Sequence, residues 1–301
     1  MTRHERNRIL IGDATVQLRL LPPDSIDCVV TSPPYYGLRD YGMAGQLGLE
    51  SNVGAWVDAM RSVFAEVARV LKPTGSFWLN LGDSFSTHPR FGAQAKGQLL
   101  APERLLLGLV DDGWIVRNKV IWTKPNAMPT SVIDRLNTTH EYVYFLVRSR
   151  RYFFDLDAIR EPHRTNRRIG QRRPPDLTKV IGPLAAKRDG LSRARLNGVP
   201  GHPLGKNPGD TWSIATRSFR GAHFATFPEA LVRRPILATC PRGGVVLDPF
   251  FGTGTVGVVA EQLGRDWIGI ELNPAYAAMA EERIARARAP VEPRGQLRQA
   301  A

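Results

Sequence analysis

The order of apolar runs along the chain predicts an α/β protein, a mostly parallel sheet covered by helices and interrupted by a basic, loop-rich insertion. Three observations carry that expectation. Short strand-like runs alternate with one-faced helical patterns over residues 1–150. The composition then turns basic and rich in proline and glycine over 151–221. An α/β pattern returns over 222–289, with a glycine-rich turn between a strand and a helix, and a tail at 290–301 lacks periodicity and reads as flexible.

Residues 9–12 and 26–31 are short apolar runs that end in polar or turn residues, as buried strands do. Between 55 and 71 the apolar residues Val57, Met60, Val63, Phe64, Val67, Val70 and Leu71 recur at steps of three and four, so a helix with one buried face is predicted. Lys72-Pro73 should stop it. A third strand follows at 76–81, a helix at 102–110, and two further strands at 114–122 and 141–148. The long link between the last pair predicts a hairpin with an elaborated loop. Beyond the insertion come a helix opening at Pro228, a strand at 245–247, a strand at 267–272, and a helix from Pro274. That last helix has Asn273 as its N-cap and proline in its first turn.

Charge narrows the class of partner. The 301 residues carry 41 Lys and Arg against 28 Asp and Glu, a formal +13, which favours a polyanion and above all nucleic acid. Residues 151–220 alone hold 15 basic and 6 acidic side chains, and 161–210 contain 7 Pro and 7 Gly. A solvated or disordered insertion has the same composition. No apolar stretch reaches the roughly 18 residues of a membrane span, and the N-terminal residues lack a signal-peptide core, so a cytoplasmic protein is expected. Cys28 and Cys240, the only cysteines, make neither a disulfide framework nor a cysteine zinc site, and the six histidines lack ligand spacing. No metal is expected.

Two turns carry the chemistry. In residues 243–255 a strand feeds Asp248-Pro249-Phe250-Phe251-Gly252-Thr253-Gly254-Thr255, where glycines let a ligand approach the backbone. Glu271 ends the next strand, 19 residues past Gly252, and suits an acid that binds ribose hydroxyls. The pattern is neither the dinucleotide fingerprint nor a P-loop, which favours a nucleoside cofactor over a triphosphate; a tight βα turn without a ligand has the same glycines. The second turn is Ser32-Pro33-Pro34-Tyr35, again after an apolar strand. Its prolines stiffen the backbone, Ser32 and the Pro33 carbonyl offer acceptors to an amino group, and Tyr35 offers a stacking face. A plain turn with a packed tyrosine is the alternative.

With both turns in this order, the chain resembles the S-adenosylmethionine-dependent DNA amino-methyltransferases that act on cytosine N4 or adenine N6, in their beta arrangement of motifs. The resemblance covers most of 9–150 and 222–288. It implies a seven-stranded Rossmann-like methyltransferase sheet, circularly permuted in sequence, with 151–221 as the target-recognition insertion. It implies that Asp248, Phe250, Gly252, Thr253, Gly254, Thr255 and Glu271 hold S-adenosyl-L-methionine, with Asp13 near the adenine and Ala225, Thr226 and Phe227 closing over the methionine end. It makes Ser32, Pro33, Pro34 and Tyr35 the catalytic turn, and Arg167, Arg168, Arg172 and Arg173 DNA contacts in the insertion.

Serine at the first motif position is typical of cytosine-N4 enzymes in that family, so the expected reaction methylates this amino group in a base flipped from double-stranded DNA. Adenine N6 is the alternative within the same chemistry. A catalytically silent DNA-binding protein on the same scaffold is the alternative of another class, although such a protein has no reason to keep both turns intact. An RNA substrate would use the same turn and would show as a preference for single strands. Ring-carbon methylation needs a nucleophilic cysteine, whereas Cys28 and Cys240 read as buried small hydrophobes. The family analogy also allows a homodimer and, in restriction-modification, a companion restriction endonuclease.

Overall fold

The computed structural model describes residues 5–163, 202, 204–216 and 227–288. Two compact units divide the chain: 1–154 with 210–301, and 155–209. Within the first, eight strands form one sheet: β1 (Arg8–Ile11), β2 (Ile26–Thr31), β3 (Leu71–Leu81), β4 (Ile115–Thr123), β5 (His140–Val147), β6 (Thr211–Ser213), β7 (Val245–Asp248) and β8 (Asp266–Glu271). Their order across the sheet is β1-β8-β7-β2-β3-β5-β4-β6. All pairs are parallel except β3 with β5 and β5 with β4. The glycine-turn strands β7 and β8 thus come last in the chain, and β7 lies beside β2 in space.

The helices divide by their place in the sequence. Helices α1 (Ala14–Arg19), α2 (Val53–Val70) and α3 (Ala101–Asp111) cover one face, burying Leu18, Phe64 and Leu105 with Val29 and Phe77 of the sheet. Helices α4 (Glu229–Thr239), α5 (Thr255–Gln262) and α6 (Pro274–Arg288) cover the other, burying Ile236, Val259 and Ile284 with Val30 and Trp78. Helix α2 shows why its sequence folds so. Asn52 caps it by accepting from Ala55 N at 2.9 Å, and its apolar stripe faces the sheet throughout.

Two expectations need correction. The helix ends at Val70, one residue early, and β3 begins at Leu71 rather than 76. Pro73 does not break the chain out of the sheet; it falls in an irregular stretch where the pairing jumps from Ile26↔Leu71 to Cys28↔Ser76. The sheet also has eight strands, not seven. The additional strand is β6, three residues from a segment that reads as loop, kept in place because Trp212 is buried near Trp78.

In the second unit, a 3₁₀ turn at Asp157–Ile159 and a backbone bridge between Glu161 and Lys206 are described. Residues 164–201 and the tail from 289 lie outside the described residues. No helix among the described residues is long and apolar enough to cross a membrane.

Candidate active site

Strand order reverses between β7 and β2, and ligands of open α/β sheets bind beyond the carboxyl ends of strands at such a point. Both sequence-predicted turns are there. The side chain of Asp27 locks the two strands by accepting from Val245 N at 2.9 Å and from Lys72 Nζ at 2.7 Å. At their ends, Thr31 Oγ1 donates to Asp248 Oδ1 at 2.6 Å, a direct bond from one turn to the other. Thr31 is a site residue that sequence reasoning missed.

The glycine turn is built by backbone need. Gly252 and Gly254 have φ of +52° and +78°, and Gly254 is pressed so close to α6 that a Cβ would lie 2.7 Å from Ala280 Cβ. A Cβ on Gly252 would meet nothing within 4 Å, so the space over this residue is open. Phe251 plugs the turn from below, stacked on Trp267 and filling the room left by Gly269. Gly257, within α5, is a packing glycine against Phe251 and Ile284. Phe250 is partly buried against the first core cluster.

Acids line this turn. Asp248 is 1% exposed; its Oδ1 also accepts from Phe250 N at 3.0 Å, and its buried Oδ2 has no partner among the described residues. Burial pushes its carboxyl up to about 7, with Glu271 adding to the rise and the bonds from Thr31 and Phe250 opposing it. Glu271 accepts from Gly252 N at 2.7 Å and Asn273 N at 2.8 Å, and burial raises its carboxyl too. Asp13 caps α1 through Val16 N, one residue past Gly12, whose N–H donates to the Glu271 carbonyl. The hydroxyls of Thr253 and Thr255 both accept from Arg283, which ties them to α6.

Across the divide, Pro34 is anchored by Trp56 Nε1, which donates to its carbonyl at 3.1 Å, whereas the Pro33 carbonyl receives no hydrogen bond among the described residues. Tyr35 is half-buried, and its hydroxyl donates to Glu141 Oε2 at 2.8 Å while lying 3.1 Å from Ser32 Oγ. Burial, and then the charge of Glu141, push this phenol well above its ordinary range, so it stays protonated. Asn80 Nδ2 donates to the same carboxylate at 2.8 Å, and Lys124 forms an ion pair with its other oxygen. Asn80, Lys124 and Glu141 were not singled out from the sequence, where they read only as residues in or beside strands.

Of the remaining predicted residues, Phe227 borders a small cavity with Thr31, Trp78, Asn80 and Leu231. Ala225, Thr226, Arg167, Arg168, Arg172 and Arg173 lie outside the described residues. Cys28 and Cys240 are fully buried, and burial pushes the Cys28 thiol up to about 11 and raises that of Cys240 as well. Neither is a nucleophile at neutral pH.

This sheet, with a glycine turn and a Ser-Pro-Pro-Tyr turn at the strand ends of its reversal, has the Rossmann-like methyltransferase fold. The family model described as DNA methylase, of the N6/N4 type, matches residues 26–282. The chain belongs to this family of DNA amino-methyltransferases. It is 37% identical over 302 aligned positions to the Type II methyltransferase M.SmaI of Serratia marcescens, covering 93% of this chain and 91% of that protein. It is 38% identical to the Type II methyltransferase M.Cfr9I of Citrobacter freundii, over 91% of this chain and 86% of the relative. Among solved structures, TTHA0409 of Thermus thermophilus complexed with S-adenosyl-L-methionine superposes with a TM-score of 0.60 at 27% identity, over 93% of each chain. The PvuII DNA methyltransferase (cytosine-N4-specific) has the same fold, with a TM-score of 0.65 at 23% identity over 91% of this chain and 85% of that one.

Proposed function

We propose that this chain methylates N4 of cytosine in a base flipped out of double-stranded DNA, with S-adenosylmethionine as methyl donor. The observation that supports the proposal is the Thr31–Asp248 hydrogen bond, which ties the strand end leading into Ser32 and Pro33 to the strand end leading into the glycine turn. The residues present fit the cofactor. There is open space over Gly252, a buried acceptor without a partner on Asp248, and a raised carboxylate at Glu271 beside it. Asp248, Glu271, Asp13 and the backbone from Phe250 to Thr255 would hold it, with Ala225, Thr226 and Phe227 closing the methionine end. When bound, S-adenosylmethionine supplies an electrophilic sulfonium methyl group.

The protein's own task is the nucleophile. An exocyclic amino nitrogen has its lone pair delocalised into the ring. Hydrogen bonds from its two protons to Ser32 Oγ and the Pro33 carbonyl draw it towards a pyramidal geometry and stabilise the positive charge that develops on nitrogen. The Tyr35 ring supports the flipped base, offsetting part of the few kcal/mol of unstacking. The basic residues of 151–221, Arg167, Arg168, Arg172 and Arg173 among them, would contact phosphates. Serine at position 32 favours cytosine over adenine.

The test is nucleoside mass spectrometry of unmethylated duplex DNA incubated with the purified protein and isotopically labelled S-adenosylmethionine. Label in N4-methylcytosine is expected. Label in N6-methyladenine would overturn the choice of base and keep the chemistry, and no binding of the cofactor would sink the reading as a whole.

A further inference from the structure

Serine at the head of the catalytic turn brings an ambiguity that an aspartate would not have. A hydroxyl both donates and accepts, so it would meet a base carbonyl as readily as a base amino group. The hydrogen bonds behind Ser32 remove that freedom. Glu141 opens the side-chain network at the start of β5, with Oε1 ion-paired to Lys124 Nζ. Its Oε2 accepts from the Tyr35 hydroxyl at 2.8 Å and from Asn80 Nδ2 at 2.8 Å. Held by an ammonium group and two neutral donors, the carboxylate acts as an acceptor only and takes the single proton of Tyr35.

The remaining bonds follow from that commitment. Asn80 Nδ2 also donates to the Tyr35 oxygen at 3.2 Å, and turning the amide over would set its oxygen against the carboxylate. The last neighbour of the Tyr35 oxygen is Ser32 Oγ at 3.1 Å. Because the phenolic proton already points at Glu141, Ser32 must be the donor in this contact. Its one proton is directed back into the protein, and its lone pairs meet no donor among the described residues.

We infer that Glu141, acting through Tyr35, makes Ser32 an obligate acceptor, so that the site selects a base with an amino group and rejects one with a carbonyl at the same ring position. The inference rests on the reading that Ser32 faces the amino nitrogen of the target. Glu141 is then a positioning residue, touching neither base nor cofactor. A site whose polar groups match one substrate leaves them mismatched with its analogue, and discrimination of this kind reaches a hundredfold and beyond.

The test uses the full-length protein, labelled S-adenosylmethionine, a duplex that the wild type methylates, and the same duplex with uracil replacing the target cytosine (hypoxanthine, where label falls on adenine). Glu141→Gln is expected to lower the single-turnover rate by about 10- to 100-fold while cofactor affinity stays within about twofold. The uracil duplex should become a competitor about tenfold stronger than it is for the wild type, because the freed Ser32 proton can turn outward to the carbonyl. Tyr35→Phe should reproduce both effects, and the double variant should be no slower than Tyr35→Phe alone. Unchanged competition by the uracil duplex in both single variants would overturn the inference, as would losses that multiply in the double variant. If the wild type labels no amino group at all, the proposed reaction falls first and this inference with it.

Discussion

Alanine at Gly252 and at Gly254 separates the backbone demands of the glycine turn from its role towards a ligand. Both residues have positive φ, +52° and +78°, a region that an L-residue enters at about 1–2 kcal/mol. Their surroundings differ. A Cβ on Gly252 meets no atom within 4 Å, whereas one on Gly254 lies 2.7 Å from Ala280 Cβ and 3.1 Å from Ala280 Cα. Ala280 is fully buried in α6 and has no side-chain torsion to yield, so the turn or the helix must shift, at a further ~1–3 kcal/mol. The expected losses are therefore about 1–2 kcal/mol for Gly252→Ala and about 2–5 kcal/mol for Gly254→Ala. Urea denaturation reads both losses, and calorimetric titration with S-adenosylmethionine reads the separate effect on the ligand. Gly252→Ala should show only the smaller of these stability losses yet bind the cofactor about tenfold more weakly or worse, some 1.4 kcal/mol. Wild-type affinity in Gly252→Ala would refute the placement of the cofactor over this turn, and equal stability of the two variants would refute the rigid contact with Ala280.

Three further outcomes are expected. Because the Asp248 carboxyl is pushed up to about 7, the folded protein holds this proton more tightly than the unfolded chain, and the group lowers stability as pH rises from ~4 through ~7. A cationic cofactor prefers the ionised carboxylate, so its affinity should rise about tenfold between pH 6 and pH 8 in calorimetric titrations and stay flat in Asp248→Asn; pH-independent binding by the wild type would remove Asp248 from the cofactor site. Ser32→Ala should cut turnover by about 10²-fold with cofactor affinity nearly unchanged, and equal losses in both would exclude the acceptor role. Replacing Arg167, Arg168, Arg172 and Arg173 together by alanine should reduce the salt slope of DNA binding by about 3–4, at roughly 0.9 per phosphate; an unchanged slope would place the phosphate contacts elsewhere.

What could be read from the sequence was what is local in the chain. The stripe of Val57, Met60, Phe64 and Val67 announces α2 because a helix repeats its buried face within a few residues. The two turns are legible because glycine and proline fix backbone shape by themselves. Strand β3 began earlier than expected because Pro73 reads as a stop when viewed alone, and only its partner β2 shows the irregular pairing that accommodates it. Strand β6 was missed because three residues among prolines and glycines carry no period, and the burial of Trp212 depends on Trp78, far away in sequence. The same limit hid half of the site. Thr31 and Asp248 are 217 positions apart and Tyr35 and Glu141 are 106 apart, so neither pair is visible until the sheet order brings them together.

That order also explains why the two motifs can lie near opposite ends of the chain and still form one site. Strand β2 is flanked by β3 from its own half and by β7 from the last segment. One face of β2 is covered by α1–α3, and the other, with Cys28, Val30 and neighbouring Trp78, is covered only when α4–α6 arrive. A fragment ending at Phe154 would leave β2 with an open edge and an exposed apolar face, besides lacking Asp248 to accept from Thr31. The Ser32–Tyr35 turn is therefore shaped by the same packing that installs the glycine turn. The two turns share one core, and a substitution in α5 or α6 that loosens the second face should disturb Ser32 as well as the residues proposed to hold the cofactor.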